Sequence, residues 1–300
     1  MLRNVLLGCA ASLMMPAWGG EIEPRAYANA PVDVNFFVAG AIYSDGALAN
    51  SAASPLKDSQ LKVNTEVLAY ARTLDVWGKS AKFDAILPYS HLSGTAMVAG
   101  QPRERNVAGF NDPLMRLSVN LYGAPALSLP DFRSYQQDLI VGASVQLSAP
   151  LGQYDSSKLV NLGNNRWFVK PEIGVSKAMG DFTLELSAAA FFFSRNDDYF
   201  GGKTLKQDPI YTAQLHGTYH FSNGIWFSLS SAYDHGGDTF VNGVSSDNQS
   251  DNWRLGATLS LPINKNNSLK IYGSNGLVTR RGTDFDLFGL LYMYRWGGGL

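Results

Sequence analysis

Runs in which apolar and polar side chains strictly alternate recur about a dozen times along this chain, joined by short turns and long polar segments in turn. Alternation at period two marks a strand with one apolar and one polar face. Most of these runs extend about 11–15 residues, whereas strands of soluble proteins average about 5–6 and a tilted membrane crossing needs about 9–11. Within a bilayer every backbone amide must find a partner in the protein, which leaves helices and closed barrels. No stretch beyond the first twenty residues is long and apolar enough for a spanning helix. The expected fold is therefore all-β, a transmembrane antiparallel up-and-down barrel of about twelve strands.

The alternation places strands at roughly 33–45, 61–73, 79–93, 112–122, 135–149, 166–178, 182–194, 208–221, 225–236, 252–262, 268–278 and 284–296. An even number puts both ends of the barrel on the periplasmic side. Met179-Gly180-Asp181 and Ser222-Asn223-Gly224 read as hairpin turns, and Leu74–Gly78 and Ile263–Asn267 are also short. Between them fall 46–60, 94–111, 150–165, 195–207 and 237–251, expected as outer loops. Two segments break the rhythm: 123–134 is long for a periplasmic turn, and the outer loop near Arg280–Thr283 is short. Aromatic residues gather near the strand ends, among them Tyr43, Trp77, Tyr122, Trp167, Tyr211, Trp226, Trp253, Tyr294 and Trp296. Such rings form the interfacial girdles of membrane barrels.

Residues 1–20 read as a secretory signal, with Arg3, an apolar core from Val5 to Met15, and a small-residue exit near Gly19 or Gly20. Residues 21–300 then form the barrel domain, delivered by Sec-type export to a Gram-negative outer membrane. The sole cysteine, Cys9, falls in the leader, so the mature chain has no disulfide, thiolate nucleophile or cysteine-bound metal. Charged residues make up 16% of the chain with a net charge of −1, which gives no reason to expect nucleic acid. The expected partners are outer-membrane lipids, the assembly machinery and small solutes, around a monomer that needs no cofactor.

Polar alternate positions of a barrel face its lumen. Those positions hold Lys62, Asn64, Glu66, Lys82, Asp84, Arg116, Gln146, Lys170, Glu172, Glu185, Arg254 and Lys270. Lys82, Arg116, Lys170, Glu172 and Arg254, near mid-strand, are the candidates for lining a solute path. With cations in excess, they would favour anions. His220-Phe221-Ser222 resembles locally the His-x-Ser pair of outer-membrane acyl hydrolases, but it coincides with an Asn-Gly turn on the periplasmic side. His235-Gly236-Gly237-Asp238 and the acidic stretches at Asp197-Asp198 and Asp247–Asp251 lack the spacing of metal sites and read as loops. Neither a catalytic nor a metal residue is assigned.

Three segments carry a family resemblance: Gly109-Phe110-Asn111-Asp112-Pro113, Asn161-Leu162-Gly163-Asn164-Asn165-Arg166-Trp167 with Lys170-Pro171-Glu172-Ile173-Gly174, and Tyr294-Arg295-Trp296-Gly297-Gly298-Gly299. Together they resemble the family named for the MetA pathway of phenol degradation, over roughly residues 25–300. The resemblance implies an outer-membrane barrel that passes small, aromatic or hydrophobic compounds. The competing expectations are an acyl hydrolase using Ser222 and His220, and a non-conducting barrel whose outer loops bind a partner.

Overall fold

The computed structural model describes residues 22–47, 56–98, 100–279 and 284–299. The expected leader with Cys9, most of the 46–60 loop and the short loop at Arg280–Thr283 lie outside the described residues.

The wall begins with β1 (Val34–Ala47), β2 (Leu56–Val76) and β3 (Lys79–Val98). β4 (Gln101–Phe110) and β5 (Leu114–Tyr122) pair with the far and near parts of β3, so together they make one wall strand, interrupted at Asn111-Asp112-Pro113. The connection to β6 (Leu139–Ser148) holds the single-turn helix α1 (Leu129–Phe132), which accounts for its unusual length. β7 (Phe168–Met179) and β8 (Phe182–Phe193) follow. β9 (Asn196–Tyr199) and β10 (Lys203–Gln207) leave the wall before β11 (Ile210–His220) and β12 (Trp226–Gly236) return to it. β13 (Thr239–Val241) and β14 (Val244–Ser245) leave it again. β15 (Ser250–Pro262), β16 (Asn267–Thr279) and β17 (Asp284–Gly297) complete it.

Wall neighbours pair antiparallel throughout, and β1 pairs with both β2 and β17, so the sheet closes. Counting β4 and β5 as one, the thirteen strands of this sheet make a twelve-strand barrel. β9, β10, β13 and β14 form a separate four-stranded sheet at the end with the longer connections, where loops were expected over 195–207 and 237–251. The expected outer loop at 94–111 is likewise mostly strand: β3 continues to Val98, turns at Gly100 (φ +76°) and returns as β4. There β4 carries Arg103, Glu104, Arg105 and Asn106 in sequence, so the alternation that marks a membrane strand is lost while the ladder persists.

Strand phase follows from the closed ladder. On β8, Leu184 and Leu186 point outward and exposed, while Thr183 and Glu185 point inward and buried. Most of the aromatic set lies outside as expected: Tyr43, Trp77, Tyr122, Trp167, Tyr211, Trp253, Tyr294 and Trp296 are all exposed. Tyr294 and Trp296 stack with ring centroids 5.5 Å apart. Trp226 is the exception and faces the lumen, where the Arg25 guanidinium lies 5.2 Å from its ring centroid.

The polarity rule also fails at the long-loop end of β2. Lys62, Asn64 and Glu66 point outward and exposed, and Leu61, Val63, Thr65 and Val67 point inward. Lys62 lies 3.9 Å from Asp45 on β1, and Glu66 lies 3.9 Å from His91 on β3. This part of β2 runs beyond the hydrocarbon layer, so its outer face meets water, while its inner face packs on Leu92, Val160, Leu162 and Phe285.

The assignment makes a paired expectation for the refolded protein in lipid vesicles. Leu186→Arg, on the lipid-facing side, should cost about 2–4 kcal/mol of stability. Lys62→Leu should cost nothing measurable. Urea-induced unfolding followed by tryptophan emission compares the two.

Candidate functional site

The five mid-strand charges singled out above all face the lumen, and cross-strand register sets two of them, Arg116 and Lys170, in one polar ladder. Asp84 on β3 is opposite Arg116 on β5, Arg116 is opposite Gln146 on β6, and Gln146 is opposite Lys170 on β7. Arg116 donates from Nε to Asp84 Oδ2 at 3.0 Å and from Nη2 to Oδ1 at 2.6 Å, a bidentate pair between buried groups. Lys170 Nζ lies 3.3 Å from Glu172 Oε2 and 5.3 Å from the ring centroid of Phe191. Arg254, on the opposite wall, is buried and shares the field around Asp234 with Lys170. Lys82 is half-buried and reaches the lumen one register step from Asp84.

A second set of charges enters the lumen from a segment that alternation could not reveal. Residues 22–31, ahead of β1, fold back inside the barrel. Glu23 accepts two hydrogen bonds from Arg116, at 2.5 Å from Nη1 and 2.9 Å from Nη2, and lies 3.9 Å from Lys82 Nζ. The backbone N–H of Arg25 donates to Glu185 on β8. The Tyr27 hydroxyl donates to Glu172 at 3.0 Å. Arg25 adopts φ +67°, and a turn closes where Ala28 N–H donates to the Arg25 carbonyl at 3.2 Å.

Glycine makes room for this segment. Gly142 on β6 and Gly174 on β7 are direct partners, and the Tyr27 ring lies flat over both. A Cβ on either would sit 2.1–2.2 Å from a ring carbon, far inside contact distance. The two missing side chains form a slot, and Tyr27 fills it while its hydroxyl reaches the ionic ladder. Buried Tyr27, Ala124 and Ile140 form a small apolar cluster there.

The remaining side of the lumen is apolar. Phe36 and Ile42 of β1, Val67 and Ala69 of β2, and Leu287 and Leu291 of β17 face inward where a channel wall would ordinarily be polar. Between them and the 22–31 segment is a cavity of about 560 Å³, within the ~300–1,000 Å³ of small-molecule sites. Its other wall carries Glu23, Lys82, Asp84, Arg116 and Lys270. The lumen is thus divided into a packed ionic half and an open, two-faced half.

Two of the motifs that carried the family resemblance meet at the long-loop end. Asp112 accepts from Gly152 N–H at 2.9 Å, from Asn164 N–H at 2.7 Å and from Asn164 Nδ2 at 3.0 Å. Burial raises the Asp112 carboxyl above its ordinary range, against the lowering effect of those bonds. Ser90 donates to Asn111 Oδ1 at 2.7 Å, and Asn111 Nδ2 donates to the Leu162 carbonyl at 3.4 Å. Arg166 is buried with its guanidinium 4.6 Å from the Phe193 ring centroid and donates to Gln207. Burial lowers its pKa, which Tyr199, Asp112 and Tyr154 oppose. These motifs pin the loop between β6 and β7 onto the break between β4 and β5.

The other sequence candidates resolve into structural roles. The His220 ring lies 3.2 Å from Thr183 Oγ1 on β8, whereas Ser222 is exposed in the turn closed by Gly224 N–H to the Phe221 carbonyl at 3.0 Å. His235 is exposed on the outer face, stacked on Tyr233. Asp238 accepts from Ser245 Oγ at 2.6 Å and from Asn248 N–H at 3.0 Å, which ties up its own loop.

Comparison with known proteins agrees with this geometry. Residues 44–289 match the family model described as "Putative MetA-pathway of phenol degradation". Among solved structures, the COG4313 outer membrane channel from Pseudomonas putida F1 superposes with a TM-score of 0.77 at 22% identity, covering 92% of this chain and 100% of that one. The β domain of the Bordetella autotransporter BrkA superposes with a TM-score of 0.57 at 13% identity, covering 88% and 100%. The transport unit of the Escherichia coli autotransporter AIDA-I gives 0.52 at 9% identity, covering 95% and 94%. No curated protein matches significantly.

Arg116 holds two carboxylates, so its loss and the loss of one partner should differ. Arg116→Met leaves buried Asp84 without its bidentate partner and Glu23 with the more distant Lys82, and should cost about 3–5 kcal/mol. Glu23→Gln keeps the Arg116–Asp84 pair and should cost about 1 kcal/mol or less. Urea unfolding in vesicles measures both.

Proposed function

The chain belongs to the MetA-pathway family of phenol degradation, and on that footing we propose that it is a passive channel of the Gram-negative outer membrane. It admits small solutes with an aromatic or otherwise apolar body. The observation that carries this reading is the two-faced cavity inside the barrel, apolar along β1, β2 and β17 and charged where Glu23, Lys82, Asp84, Arg116 and Lys270 border it. A wall built only to exclude or to pass ions has no use for Phe36, Ile42, Leu287 and Leu291 on its inner side, because apolar groups facing water cost free energy that polar ones do not. A solute with an apolar body regains that free energy on entry.

Lys82, Arg116, Lys170, Glu172 and Arg254 act in this reading as an electrostatic filter, not as reactive groups. Lys82 and Arg116 border the cavity, and Lys170, Glu172 and Arg254 act on it from buried or half-buried positions of the wall, where charges are screened less than on a surface. Export through the Sec route by residues 1–20, a monomeric state, and insertion by the outer-membrane assembly machinery complete the proposal. The chemistry of the lumen supports a channel over a hydrolase: Ser222 sits in an exposed turn, and His220 turns to Thr183.

The test is reconstitution in planar bilayers and vesicles. The expected result is ion conductance with anion preference, and faster entry of benzyl alcohol than of a neutral sugar of similar size. Lys170→Glu combined with Lys82→Glu should move the preference towards cations. Equal entry of sugar and benzyl alcohol would refute the apolar path, and selectivity indifferent to the charge reversals would refute the filter.

A further inference from the structure

The contact that joins the two halves of the lumen is Glu23 on Arg116, and it has the form of a bound ligand. Glu23 belongs to no strand, yet its carboxylate takes two N–H groups of one guanidinium and lies 3.9 Å from Lys82. Lys270 adds to the same field, and the cavity begins at these side chains. We infer that Lys82, Arg116 and Lys270 form a binding site for the carboxylate head of an amphiphilic solute, which Glu23 occupies as an intramolecular surrogate. The inference rests on the reading of this cavity as the solute site, and it names the solute class: a monoanion with an apolar body.

Three observations support it. Arg116 does not depend on Glu23 to stay in place, because Asp84, its register partner, already holds Nε and Nη2. Removal of the Glu23 carboxylate therefore leaves a guanidinium still oriented by Asp84 at the edge of the cavity. Next, among the described residues the cavity wall carries Lys82, Arg116, Lys270 and Arg295 against the carboxylate of Asp84, so positive charge stays in excess even with Glu23 in place. That excess attracts an anion. Finally, apolar surface starts beside the cations, with Ile86 near Asp84 on β3 and Leu291 opposite Lys270 in the β16–β17 register. A head bound at the cations lays its apolar body along β1 and β17.

Ligand and surrogate compete for the same N–H groups, so entry of the ligand releases Glu23. Arg25, two residues on, sits over Trp226, which makes release visible in the emission of that ring. Binding is measured by calorimetry and Trp226 fluorescence on the full barrel in lipid nanodiscs, with octanoate, octanol and octylammonium as probes. Octanoate should bind at least about tenfold more tightly than octanol, and octylammonium more weakly than either. Glu23→Gln should tighten octanoate by about tenfold and leave octanol unchanged. Lys82→Met with Lys270→Met, which retains the Arg116–Asp84 pair, should erase most of the preference for octanoate. The emission change should disappear in Trp226→Phe while the calorimetric binding remains. Equal affinities for octanoate and octanol, or an octanoate affinity untouched by Glu23→Gln, would overturn the inference. The titration needs no flux, so a barrel that binds octanoate but conducts nothing would overturn the channel reading alone.

Discussion

Closure of β1 onto β17 is the constraint from which the rest follows. Once the ladder is a ring, its edges have no unpaired amides, and the sheet is stable in a medium that offers none of its own hydrogen bonds. Closure also removes freedom of phase. A one-residue slip would turn every side chain from lumen to lipid, so each inward position is fixed by those on its neighbours. That rigidity lets single residues on four different strands, Asp84, Arg116, Gln146 and Lys170, line up as one polar ladder without any sequence proximity.

A ring of this size has a space inside that the wall side chains alone do not fill. About eight strands pack solid and about sixteen leave an aqueous pore; twelve leaves a gap to be managed. Here the gap is managed unequally. The segment ahead of β1 occupies the side where charges and glycines accept it: Tyr27 in the slot over Gly142 and Gly174, and Glu23 against Arg116. The side lined by β1, β2 and β17 keeps apolar residues and stays open. Ionic groups buried in the wall are tolerable because they are paired and hydrogen-bonded, and an unpaired one would be expensive. The segment thus supplies both volume and counter-charge.

Much of the wall was legible because lipid imposes a simple rule. Where a strand crosses hydrocarbon, the outward face is apolar, and the contrast with a polar inner face reveals phase. Lys82, Arg116, Lys170, Glu172 and Arg254 lie on such stretches, and they face inward. The rule misled at Lys62, Asn64 and Glu66, where β2 has left the membrane and the contrast inverts, with Leu61 and Val63 inside. It misled at Trp226 too, an aromatic near a strand end whose ring serves Arg25 and not the lipid headgroups. The 22–31 segment was illegible for another reason. Its partners, Arg116, Glu172 and Glu185, lie 93 to 160 residues away and have no periodic relation to it. The one available clue was Gly142 and Gly174, glycines at inward positions of adjacent strands, which mark a close approach by something large.

The inversion of polarity along β2 also bears on how the lumen works. If the inner face were polar throughout, the cavity would be a water column and its charges would be screened. With Val67, Phe36, Ile42 and Leu291 on one side, water gains little by entering, and the field of the cations bordering them is weakened less. The same apolar wall therefore strengthens the electrostatic grip of Arg116 and lowers the cost of an apolar body beside it. Either face alone would accept many solutes: ions for the charged one, hydrocarbons for the other. Set around one cavity in a rigid ring, they ask for both properties in a single solute, and selectivity comes from that conjunction and not from any one residue.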